Sequence, residues 1–68
     1  MPQYLIIAYL KQDIKTSIFT LFSDDYTETN NHVSSLIEFG FRVMVYEWYD
    51  PEEDQMPYYK LSYEAFSL

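Results

Sequence analysis

Tyr4-Leu5-Ile6-Ile7-Ala8-Tyr9-Leu10 is an unbroken apolar run of strand length. A strand with one wet face alternates apolar and polar residues. A continuous run calls for cover on both faces, and so for a central place in a sheet. Strands must therefore lie on either side of it. The polar Lys11-Gln12-Asp13 turns the chain, and Ile14 to Phe22 sets Ile18, Phe19, Leu21 and Phe22 among Thr and Ser. That composition predicts a second strand closing a hairpin with the first.

Ser23-Asp24-Asp25 ends the second strand. Asp25 and Glu28 have the spacing of a capping box with Asp as its first residue, and acids suit the positive end of a helix dipole. Thr29, Val33, Leu36, Ile37 and Gly40 recur at helical spacing, which predicts a helix from about 26 to 39 with one narrow apolar stripe. Gly40 stands where a helix ends, with Phe41 placed to fold back on Leu36 in a Schellman arrangement. Phe41, Val43 and Val45 then alternate with Arg42, Met44, Tyr46 and Trp48, the first set toward the helix. Pro51 to Pro57 reads as an acidic loop. From Tyr58 to Phe66 alternation resumes, with Tyr59, Leu61, Tyr63 and Ala65 on one side, Tyr59 turned inward. The expected fold is α+β, in the order β-β-α-β-β: a four-stranded antiparallel sheet with one helix packed on one face. Residues 1–68 make a single compact domain. One helix does not cover four strands, so Met44, Tyr46 and Trp48 are expected on an open aromatic face of the kind that marks a contact site.

A chain of 68 residues has little core, and such chains are often reinforced by disulfides, metals or oligomerisation. Cysteine is absent and His32 is the one histidine, which excludes disulfides, thiolate metal sites and His-based zinc sites. Fourteen aromatic residues supply the alternative, since rings carry large buried areas. The same inventory argues against an enzyme. No thiol nucleophile exists, and a Ser-His-Asp arrangement would have to use His32, which lies mid-helix beside Asn30 and Asn31 with no supporting pattern. A lone glycine does not make a phosphate-binding loop. The acids of Asp50-Pro51-Glu52-Glu53-Asp54 lack the spacing and central glycine of an EF-hand. No cofactor or metal is expected. Neither a targeting segment nor a membrane span is visible, and the lack of cysteine fits a cytoplasmic protein.

The net charge of −7 sets eleven acids against Lys11, Lys15, Arg42 and Lys60. A field of that sign repels nucleic acid and anionic membranes and attracts basic protein surfaces. The stretch from Tyr46 to Tyr59 holds five of the acids and five of the aromatics, with no basic residue among them. Tyr and Trp are enriched at binding hot spots. The expected partner-binding residues are Asp24, Asp25 and Glu28 at the helix start, and Tyr46, Glu47, Trp48, Tyr49, Asp50, Glu52, Glu53 and Asp54 at the second hairpin.

In size, charge and its ring-flanked Asp50–Asp54 cluster, the chain resembles the small, cysteine-free, acidic inhibitor proteins of phages and mobile elements, including anti-CRISPR proteins and other DNA mimics. The resemblance implies that the acids pair with Lys and Arg on a nucleic-acid-binding surface of a host defence complex, with Tyr46, Trp48 and Tyr49 as the apolar anchor. The alternative is a small homodimeric structural or accessory domain, joined through its open sheet face or a strand edge, whose acids serve solubility.

Overall fold

The computed structural model describes residues 1–51 and 55–66, without a side-chain account of Asp13, Ile14, Lys15 and Ser17. Strands β1 (Tyr4–Leu10) and β2 (Asp13–Ser23) form a hairpin, helix α1 (Tyr26–Glu38) follows, and β3 (Phe41–Tyr49) and β4 (Tyr58–Ala65) complete the chain. The four strands form one antiparallel sheet in the order β2-β1-β3-β4. The apolar run of β1 is central as expected, but it is not covered on both faces: Ile6 and Ala8 are buried under the helix, whereas Leu5, Ile7 and Tyr9 are half-buried on the open face. Because β2 and β3 both run antiparallel to β1, they are parallel to each other, and α1 is the crossover that carries the chain past β1.

Registers place Ile6 opposite Val45 and Ala8 opposite Val43. All four are fully buried and form the core with Val33 and Leu36 of α1. Leu21, Ile37, Phe41, Tyr63 and Ala65 pack around them. The helix stripe is thus the one the spacing predicts, and the inward phase of β3 is also as expected.

Both helix ends have identifiable caps. Asp25 accepts a hydrogen bond from the Thr27 amide at 3.2 Å. The expected capping box is not made: Asp25 takes the Thr27 amide in place of the Glu28 amide, and the Glu28 side chain turns to His32, 3.4 Å away on the same exposed helix face. Ser23 serves the Asp25 amide in place of Glu28: its hydroxyl accepts from that amide and donates to the Asp25 carbonyl. The buried Thr29 hydroxyl also donates to that carbonyl, at 2.9 Å. Satisfied in this way, Ser23 and Thr29 are buried at little cost. At the other end the Gly40 amide donates to the Ile37 carbonyl, and Gly40 has a φ of 92°. A Cβ there would touch nothing within 4 Å. Gly40→Ala therefore costs backbone strain alone, about 1–2 kcal/mol of unfolding free energy, measurable by urea titration.

The sequence reading of β4 needs correction. Val45 pairs with Tyr63 but Tyr46 pairs with Leu61, so Ser62 is an extra residue in β4. This bulge reverses the side-chain phase midway. Tyr63 and Ala65 face the helix as expected, whereas Leu61 and Tyr59 share the open face with Tyr46 and Trp48. Tyr59 does not turn inward.

The molecule is flat, with extents of 40 × 26 × 17 Å and a Cα radius of gyration of 12.7 Å. A compact domain of this length has a radius of roughly 11 Å. The excess follows from a sheet with a helix on one side only.

Candidate functional site

Two surfaces meet at the end of the sheet where β1 begins, and Pro2-Gln3 joins them. The Gln3 carbonyl accepts from the Trp48 amide at 2.7 Å, extending the β1–β3 ladder by one step. The Gln3 amide donates to Asp24 at 3.0 Å, and its side-chain nitrogen donates to Glu47 at 3.3 Å. The acid group at the helix start and the acid group on β3 therefore converge on one residue. They lie 23 positions apart in sequence (Asp24 and Glu47), yet Tyr4 is opposite both Ser23 and Glu47 in the sheet. This places Asp24, Asp25 and Glu47 around the start of β1, near the N-terminus of the helix.

Tyr4 reports the field there. Its hydroxyl is held above the usual tyrosine pKa by partial burial first, then by Glu47, Tyr26 and Asp25. Tyr4 and Tyr26 meet edge to face, with ring centroids 6.1 Å apart. Tyr63 is raised as well, by burial and then by Tyr26 and Tyr4, and its hydroxyl donates to Asn30 at 3.3 Å. A phenol raised in the folded state favours folding fully below its unfolded pKa of about 10 and loses that contribution as pH climbs through the folded value. Two of the eight tyrosines should therefore ionise late in an alkaline titration followed at 295 nm. Tyr4→Phe and Tyr63→Phe should each remove one late step, and stability should fall above pH ~10.

The second surface is aromatic and lies on the open face. Trp48 and Tyr59 pack at 5.0 Å, Tyr59 and Phe22 at 6.2 Å, and the Tyr59 hydroxyl donates to the Pro2 carbonyl at 2.8 Å. Tyr46 and Trp48 are half-buried, so they are partly spent on holding the sheet end. Phe22, Leu61 and Phe66 are about half exposed, at 53, 51 and 48%. Arg42 crosses this face, paired with Glu64 and 5.0 Å from the Phe66 ring centroid. The two charges of that pair cancel.

The expected site residues divide accordingly. Asp24, Asp25 and Glu47 come together. Tyr46 and Trp48 lie on the open face. Tyr49 does not join them: it faces the helix side, exposed, packed against Tyr58 at 5.4 Å and covered by Lys60. A groove of about 290 Å³ runs along Glu47, Trp48, Tyr49, Lys60, Leu61 and Ser62. It falls just short of the range of small-molecule sites, roughly 300–1,000 Å³. Asp50 is exposed beyond the end of β3. Glu28 stands apart with His32, on the helix. Glu52, Glu53 and Asp54 lie outside the described residues.

Among the described residues no group of three His, Asp or Glu side chains gathers to hold a metal ion. No helix among them is long and apolar enough to cross a membrane. Sequence reasoning missed Gln3, which joins both acid groups. A single polar residue before an apolar run carries no signal of that role. No protein-family model, curated protein or solved structure matches the chain.

Proposed function

We propose that this chain is a protein-binding inhibitor whose acidic sheet end occupies a basic, nucleic-acid-binding surface on its target. The observation that supports this reading best is the convergence of Asp24 and Glu47 on Gln3, which brings one acid of β3 beside Asp24 and Asp25 at the helix start. Lys and Arg arranged for a phosphate backbone are natural partners for such a surface, and charge steers the encounter. The half-buried Trp48 and Tyr59 rings adjoin that end and offer apolar contact that slows dissociation. The target class proposed is a host defence complex in the cytoplasm, bound by DNA mimicry as anti-CRISPR proteins do. The role is binding and not catalysis. The test is capture of targets from a bacterial lysate at low and high salt, by the wild-type chain and by the double reversal Asp24→Lys, Glu47→Lys. Nucleic-acid-binding proteins held at low salt by the wild type alone support the proposal. Equal capture by both proteins sinks it.

A further inference from the structure

The two edges of the sheet are built differently. The β4 edge carries Lys60 and Glu64, a bulge at Ser62 and Pro57 just before the strand. Charges, bulges and prolines are the usual means of keeping an edge from pairing with another chain. The β2 edge has no charge and no proline from Thr16 to Ser23. Its irregularities are confined to the hairpin half, and Phe19–Ser23 stays in register with Ala8–Tyr4. Ile18, Phe19, Thr20 and Phe22 are all exposed along it.

The charges that flank this edge select the occupant. Lys11 and Lys15, two of the four basic residues, stand toward the hairpin end of β2 with one acid, Asp13, between them, and Asp24 and Asp25 follow its other end. An antiparallel strand with the same sequence presents the opposite order. A two-fold axis at Thr20 sets position 25 of each copy, an acid, opposite position 15 of the other, a lysine, and position 24 opposite Thr16. We infer that β2 is a self-pairing edge, and that two copies of the chain join antiparallel about Thr20 into one continuous eight-stranded sheet. Such an interface is isologous and closes on itself, so it yields a dimer and not a fibre. It goes beyond the acidic inhibitor reading. It also draws on Asp24 and Asp25, for which a basic partner would compete, so the dimer is tested on the chain alone.

The experiment is sedimentation equilibrium of the pure chain up to about 1 mM, the range of weak association, with Thr20→Lys and Ser62→Lys as variants. Thr20 is exposed and near the proposed axis, so its lysine meets the same lysine, or lies close to it, across the interface. Like charges opposed across strands should weaken the dimer roughly five- to tenfold. Ser62→Lys, on the other edge, should leave it unchanged. Hydrogen exchange on the wild type is the second measurement, and it does not depend on any variant folding. The alternate β2 amides that point away from β1 should gain protection as concentration rises, while those of β4 should not. A chain that stays monomeric throughout overturns the inference. So does a dimer that Thr20→Lys leaves intact, or one whose concentration-dependent protection appears on β4.

Discussion

Ile6→Ala should leave a large part of the population unfolded at room temperature. Ile6 is fully buried at the centre of the sheet, opposite Leu21 on one side and Val45 on the other, within the core that Val33 and Leu36 close from above. Truncating a buried isoleucine to alanine costs about 2–5 kcal/mol, the upper part of the range applying where neighbours do not collapse into the space. Here two backbone ladders hold the flanking strands apart, so collapse is restricted. A single core in a chain this short supplies roughly 3–5 kcal/mol. The loss is therefore comparable with the whole stability. Ile7→Ala is the matched comparison. Ile7 lies on the open face of the same strand and is half-buried, so the loss should be clearly smaller. Urea titrations of the two variants rank the faces directly. Equal losses would mean that the open face is packed as tightly as the helix face.

The double reversal Asp24→Lys, Glu47→Lys should weaken binding to a basic target at least about tenfold, with most of the salt dependence lost. Each reversal changes the charge by two, taking the chain from −7 to −3. More decisive than the net change is its place, since both carboxylates sit at Gln3 and the field there changes sign. Glu38→Lys makes the same change per residue at the far end of the helix, where Glu38 is exposed. About 13 residues of helix separate it from the site, close to 20 Å, beyond the screening length at physiological salt of about 8 Å. It should leave binding nearly unchanged. If both changes weaken binding alike, net charge alone decides the affinity and the sheet end has no special part. Circular dichroism separates these effects from unfolding, because Asp24 and Glu47 lie at the surface.

The elements of the fold were legible because each leaves a local mark. The unbroken run of β1, the Thr29-Val33-Leu36 stripe and the Phe41-Val43-Val45 phase are properties of neighbouring residues, and the structure uses all three as read, except that β1 is not covered on both faces. The phase of β4 was not legible. One extra residue at Ser62 turns Leu61 and Tyr59 to the other face without altering composition or alternation. Tyr49 was misgrouped for a related reason: it adjoins Trp48 in sequence, but adjacent strand residues point apart. The meeting of the acid groups depends on β1 pairing with β2 and β3 at once, a long-range register that no local pattern records. Gln3 becomes informative only when that register is known.

Competition with duplex DNA is the most direct measure of whether the acidic sheet end takes the place of a nucleic acid. A basic, DNA-binding protein captured by the chain is titrated with short duplex DNA, and release of the chain is followed by fluorescence anisotropy. Mutually exclusive binding is expected, with the apparent affinity for the chain falling in proportion to DNA added, and with the Asp24→Lys, Glu47→Lys protein unable to compete. A ternary complex, in which chain and DNA are held together at undiminished affinity, would contradict the account.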